Sequence, residues 1–158
     1  MTDADYMREA LAEARLASAA GEMPVGCVVV RAGEIIARAH NACEALRDAT
    51  AHAELLAIRL ASAASGDWRL NDCTLYVTLE PCPMCAGAIL NARIDRVVIG
   101  ARDPRAGAFG SLFDLNALPL NHKTEISDGV LADKSAALLS SFFKRKRDKQ
   151  PDKGDAAE

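Results

Sequence analysis

Within residues 74–92 the hydrophobic pattern changes period across five residues, Pro81-Cys82-Pro83-Met84-Cys85. Before them, Leu75, Val77 and Leu79 alternate with Thr74, Tyr76 and Thr78, the period of a strand. After them, Pro83 stands where a helix takes its first residue, and that helix is expected to run to Ala92. A strand that turns directly into a helix commits this part of the chain to a layered α/β arrangement.

The remaining pattern extends that frame. Residues 3–19 carry Tyr6, Met7, Ala10, Leu11, Ala14 and Ala17 on one helical stripe, ended by Gly21 to Pro24. Val25 to Val30 is a continuous apolar run, as expected of a strand covered on both faces, and Ala32-Gly33 turns it into a second strand, Glu34 to Ala39. A loop over 40–51, a helix from His52 to Ala64 and a strand from Arg96 to Gly100 are expected around the 74–92 unit. The segment from Ala101 to Asn121 reads as a long loop, functional or partly disordered, followed by a short strand at Thr124 to Ser127 and a helix from Ala132 to Arg147. This order predicts an α/β fold with a mixed five-stranded sheet and helices on both faces.

A chain of 158 residues fits one core, expected over residues 1–147, with a polar and disordered tail at 148–158 containing Pro151 and Gly154. Alanine supplies 31 residues and only seven are aromatic, so Leu, Ile and Val should pack at closely approaching Ala-bearing helices. The longest apolar run, Val25 to Val30, is far short of the roughly 18–20 residues that cross a bilayer. No basic stretch followed by an apolar one opens the chain, so a soluble, cytoplasmic protein without a membrane partner is expected.

Five cysteines are an odd number in a chain of this size, and only Cys82 and Cys85 form a C-x-x-C pair. Alone, that pair reads as a redox couple or a metal site. Joined with His52-Ala53-Glu54, it supplies two thiolates and an imidazole, ligands that suit Zn²⁺. Cysteines three apart at a helix start project to one side, and the helix N-terminus eases thiol deprotonation. Three ligands leave a fourth position for water, the layout of a catalytic rather than a structural zinc site. Glu54 would sit beside that water without ligating the metal, provided that His52 and Glu54 share a half-formed first turn; in a regular helix they diverge by about 200°.

These residues resemble the zinc-dependent nucleoside and nucleobase deaminases, the cytidine/deoxycytidylate deaminase superfamily, whose signature and mechanism are a standard scheme for base deamination. The likeness is nearer to the bacterial tRNA-specific adenosine deaminases and covers roughly residues 3–147. It rests on Pro24-Val25-Gly26, Asn41, Thr50 to Glu54, Thr74 to Leu90, Gly100 to Asp103, Gly110-Ser111-Leu112, Asn121-His122 and Leu138 to Phe143. The resemblance implies the three-layer cytidine deaminase-like fold and hydrolytic conversion of a wobble adenosine to inosine in a tRNA anticodon loop. It further implies one Zn²⁺ per subunit on His52, Cys82 and Cys85, with Glu54 as the catalytic proton shuttle to N1 and to the departing amine. Asn41 falls where an amide hydrogen-bonds the purine, Asp103 where an acid contacts ribose hydroxyls, and Val25 and Leu79 where apolar walls flank the base. A homodimer whose active sites draw on both subunits is implied as well. Phe109 departs from the pattern, which has a small residue there, and is expected to stack on a nucleobase or fill a neighbouring subunit's surface.

Net charge is −3, but residues 1–143 carry −5 and residues 144–158 carry +2, with Lys144 to Arg147 uninterrupted. Arg102, Arg105, Lys123 and Lys144 to Arg147 are therefore expected to form part of a basic track for the anticodon stem-loop, near Phe142 or Phe143. Extrusion of a base from a single-stranded loop makes duplex a poor substrate, and no DNA partner is expected. Two other readings share some of these residues. A free-base or nucleoside deaminase acting on guanine, cytosine or cytidine would need the metal core but not the basic track. A zinc-stabilised RNA-binding module would need a fourth protein ligand, with Cys43, Cys73 and His40 as candidates.

Overall fold

The computed structural model describes residues 1–149. Its elements are α1 (Asp3–Ala19), β1 (Gly26–Arg31), β2 (Glu34–His40), α2 (Cys43–Leu46), α3 (Ala53–Ser65), β3 (Cys73–Leu79), α4 (Pro83–Asn91), β4 (Arg96–Ala101), a single 3-10 turn (Leu115–Ala117), β5 (Glu125–Ser127) and α5 (Ala132–Lys149). The strands form one sheet in the order β2-β1-β3-β4-β5. Pairings β1–β2 and β1–β3 are antiparallel, whereas β3–β4 and β4–β5 are parallel, so the sheet is mixed.

Strand alternation divides the core into two layers. Cys27 and Val29 of β1 join Leu75 and Val77 of β3 on the face covered by α3 and α4. Val28 and Val30 join Tyr76 and Val98 on the other face, against Tyr6, Met7, Ala10 and Leu11 of α1 and Leu138 of α5. The sparing use of large side chains is expressed as close approach. Ala10, Ala14 and Ala17 of α1, like Ala53, Ala57 and Ala61 of α3, are fully buried. Gly26 is obligatory at the α1 crossing: a Cβ there would overlap the Ala10 carbonyl oxygen and lie 2.5 Å from the Ala14 amide.

Ala32 (φ 51°) and Gly33 (φ 79°) both take the left-handed region, the geometry of a tight hairpin turn between right-twisted strands. α1 is fixed to the sheet by Asp3, whose carboxylate takes two bonds from Arg96 (3.0 and 2.7 Å) and one from the Tyr76 hydroxyl (2.7 Å).

The structure adds α2 inside the expected 40–51 loop. Four residues give no readable periodicity; the helix exists because the buried Glu22 carboxylate accepts from the Glu44 and Ala45 amides (3.0 and 2.8 Å). The last helix continues through Asp148 and Lys149, and from residue 150 on the expected tail lies outside the described residues. Among the described residues, no helix is long and apolar enough to cross a membrane.

Candidate metal centre and base pocket

Two helix N-termini and one strand end meet at the site. β3 ends at Leu79, and Glu80-Pro81 leads to Cys82, the N-cap of α4, with Cys85 in that helix's first turn. His52 is the N-cap of α3 with extended backbone (φ −75°, ψ 151°), so the helix begins one residue later than expected, at Ala53. That extended residue resolves the angular conflict between His52 and Glu54, since only Glu54 obeys helical geometry. Neither His52 nor Cys82 caps its helix with its side chain. Both side chains are thereby left for other work.

The His52 Nδ1 lies 3.4 Å from the Cys85 Sγ and 3.7 Å from the Cys82 Sγ. A tetrahedral zinc with Zn–S of about 2.3 Å and Zn–N of about 2.0 Å requires sulfur–nitrogen edges of about 3.5 Å. The donor set and its edges thus fit that ion. His52, Cys82 and Cys85 are the one His/Cys/Asp/Glu cluster of metal-binding dimensions among the described residues, and neither Cys43, Cys73 nor His40 joins it. His40 pairs instead with Glu13 (2.9 Å).

The protonation pattern suits ligation. Hydrogen bonds from the Cys85 thiol and from His52 hold Cys82 at about 4 against the opposing effect of burial. The same contact with Cys82, together with burial, pushes Cys85 far up, so the two sulfurs hold one proton that a cation displaces. His52 is raised by its hydrogen bond to Cys82. Glu54 is 4% exposed, and burial lifts its carboxyl to about 7. Cys27, in contrast, is buried and pushed well above the ordinary thiol range, an inert apolar side chain.

A cavity of about 200 Å³ opens over the cluster, lined by His52, Glu54, Cys82, Asn41, Asp103, Val25 and Leu79, together with Met23, Glu80 and Ala106. All eight expected site residues therefore border one space or the cluster beneath it. Asn41 differs in detail from the expectation. Its Oδ1 accepts from the Ala53 amide (2.8 Å), closing the N-terminus of α3 and orienting its NH₂ as the group left free of that bond. Asp103 likewise spends Oδ1 on the Arg105 and Ala106 amides (3.0 and 3.3 Å).

The cavity shares Met23, Leu79, Asp103 and Ala106 with an outer groove of about 610 Å³, which adds Arg102, Arg105, Leu139, Phe143, Lys146 and Arg147. The expected basic track is only partly assembled. Arg105, Lys146 and Arg147 line the groove, and Phe143 is 43% exposed beside them. Arg102 borders it but is committed to Asp128 (2.9 Å) and the Phe109 carbonyl (2.7 Å). Lys144 does not line the groove, Arg145 turns to Ser18 on α1 (2.6 Å), and Lys123 bonds the Asn116 and Leu118 carbonyls.

Phe109 requires a correction. It is 3% exposed, belongs to the main core and bridges to Asp114, so it cannot stack on an incoming base or reach a neighbouring surface. With Ala108 and the partly buried Leu115, this ring anchors the 101–121 loop to the main core. Sequence reasoning missed Met23 and Glu80 at the site. Met23 carries no sequence signal, whereas Glu80 was visible as an acid at an apolar strand end beside Pro81-Cys82.

Residues 1–101 match the cytidine and deoxycytidylate deaminase zinc-binding region. The tRNA-specific adenosine deaminase of Bacillus subtilis (strain 168) is 50% identical over 146 residues, 92% of this chain and 91% of that protein. A solved structure from work on A-to-I editing by tRNA:A34 deaminases superposes with a TM-score of 0.81 at 43% identity, covering 85% of this chain and 99% of that one. A guanine deaminase from Nitrosomonas europaea gives a TM-score of 0.73 at 31% identity, covering 86% and 81% respectively.

Proposed function

The chain belongs to the cytidine and deoxycytidylate deaminase zinc-binding family, and from its likeness to tRNA-specific adenosine deaminases we propose hydrolytic deamination of a tRNA wobble adenosine to inosine, with release of ammonia. The observation that carries this reading is Glu54, a buried carboxylate outside the three-ligand cluster, in a cavity that widens into a basic groove. A binding module has no use for such a carboxylate.

His52, Cys82 and Cys85 would hold one zinc per chain. When bound, zinc supplies a Lewis acid that brings a water's pKa from near 16 to about 7. Glu54 takes one proton from the attacking water and delivers it to N1 as the C6–O bond forms; it then takes the proton left on the C6 hydroxyl and gives it to the amine as the C6–N bond breaks, leaving the C6 carbonyl and ammonia. Burial keeps this carboxyl near the pKa at which it both accepts and returns a proton. The Asn41 amide, oriented by the Ala53 N–H, donates to an acceptor on the base edge. Val25 and Leu79 supply apolar walls, and Asp103, at the junction of cavity and groove, meets the ribose. Arg105, Lys146 and Arg147 face phosphates of the anticodon loop, and a cavity of this size takes one extruded base.

A homodimer is part of the proposal. Leu112, Phe113, Leu118 and Leu120 are all at least 40% exposed around the 3-10 turn, with Met84 of α4 also exposed. A second copy would cover such a surface. A cytoplasmic location, where bacterial relatives meet their tRNA substrate, is part of the proposal as well.

The deciding experiment incubates zinc-loaded protein with an anticodon stem-loop bearing wobble adenosine, and in parallel with free adenosine, cytidine and guanine. Inosine in the RNA alone is expected. Conversion of a free base or nucleoside in preference to the RNA would move the assignment to the alternative deaminase class, whose fold is shared.

A further inference from the structure

Glu80 is buried to 2%, its side chain fully so, yet it stands outside the ligand set and the proton path. Every hydrogen bond to its carboxylate comes from one loop. Oε1 accepts from the Asp103 amide (3.1 Å) and the Ser111 hydroxyl, and Oε2 accepts from the Phe109 and Ser111 amides (3.1 and 3.2 Å). The Arg102 guanidinium approaches to 3.5 Å. A Cβ on Gly107 would fall within the carboxylate's van der Waals envelope, so the loop wraps the anion too closely for any side chain there. Glu80 stands two residues before Cys82 in the chain; its amide donates to the Ala101 carbonyl at the end of β4 (2.9 Å), and the loop's Ala108 amide donates to the Pro81 carbonyl (2.9 Å).

We infer that Glu80 is a positioning residue for substrate, an anionic core around which the 102–111 loop is wound so that Asp103 and Arg105 stand at fixed places over the base cavity. The inference rests on the proposed tRNA deamination. Its physical reason is acceptor capacity. The loop has no regular secondary structure and only Ala108 and Phe109 as deep apolar anchors, so its inward N–H groups need an acceptor that water cannot supply. A carboxylate accepts at both oxygens, whereas a glutamine amide would turn an NH₂ toward loop N–H donors. Because the ligands sit on α3 and α4, misplacement of the loop should weaken RNA engagement and spare the chemistry.

The test uses zinc-loaded full-length protein, wobble-adenosine stem-loop and steady-state kinetics, with zinc content and folding checked for each variant. Glu80→Gln should keep its zinc, keep kcat within about threefold and raise KM about tenfold or more, the scale of one or two buried hydrogen bonds. Ser111→Ala, at an exposed residue that removes a single donor, should raise KM about threefold and add little when combined with Glu80→Gln. An unchanged KM in folded, zinc-loaded Glu80→Gln would overturn the inference, as would parallel loss of kcat and zinc without a KM effect. Should Glu80→Gln fail to fold, Ser111→Ala decides: a raised KM upholds the role and an unchanged one ends it. Wild-type protein that leaves the stem-loop unconverted would count against the proposed function itself, not against Glu80 alone.

Discussion

Replacing Lys146 and Arg147 together with alanine should change the salt dependence of RNA binding by a calculable amount. The two cations line the groove that leads to the cavity, and α5 presents them without an ion pair to any described carboxylate. Each phosphate contact on a single-stranded segment contributes about 0.7 to the slope of log K against log salt, so the double variant should be shallower by about 1.4. Between about 50 and 200 mM salt, the wild-type protein should therefore lose about sevenfold more affinity than the variant. The assay is fluorescence anisotropy of a labelled anticodon stem-loop, in a Glu54→Ala background so that substrate is not consumed. Lys144→Ala and Arg145→Ala serve as controls, because Lys144 lies off the groove and Arg145 is bonded to Ser18. An unchanged slope in the double variant, or an equal loss in the Lys144 control, would refute the placement of the RNA in this groove.

Three further outcomes are expected. Glu54→Ala should retain its zinc by elemental analysis while turnover falls by about 10²–10⁴-fold, the usual contribution of a general acid–base group. Gly26→Ala should cost about 1–3 kcal/mol in urea unfolding, because its Cβ meets α1 backbone rather than a movable side chain; a neutral result would mean that α1 can shift. The Arg96 guanidinium holds the Asp3 carboxyl below its ordinary value, so the folded pKa is depressed relative to the unfolded one. The stability from this pair should be fully present above about pH 4 and lost as pH falls through the folded pKa. Arg96→Ala should reduce that acid dependence to the part held by the Tyr76 hydroxyl and cost about 1 kcal/mol at neutral pH, a modest figure because the pair is partly exposed; stability curves against pH for the two proteins check it.

The contrast between what was legible in the sequence and what was not follows the range of the interactions. Strand alternation at Leu75, Val77 and Leu79, the apolar run from Val25 to Val30 and Pro83 at a helix start are local signals, and the structure puts strands and a helix there. The metal cluster was readable because its residue types are rare together and two of the three are neighbours in sequence. α2 was not, since its stability comes from Glu22, more than twenty residues away. The position of Glu80 in the 102–111 loop was hidden for the same reason. Phe109 was misread because an aromatic ring in a glycine-rich loop looks exposed until the loop is seen to fold over Glu80. The run Lys144 to Arg147 reads as one basic patch along the chain, but on a helix its four side chains point in different directions, and only the last two reach the groove.

X-ray absorption at the zinc edge of the loaded protein is the most direct test of the whole account. It should report two sulfurs and one imidazole nitrogen from the chain, with a light, non-protein ligand completing the set. A third sulfur or a second imidazole would make the centre a closed structural site and contradict the account at its root.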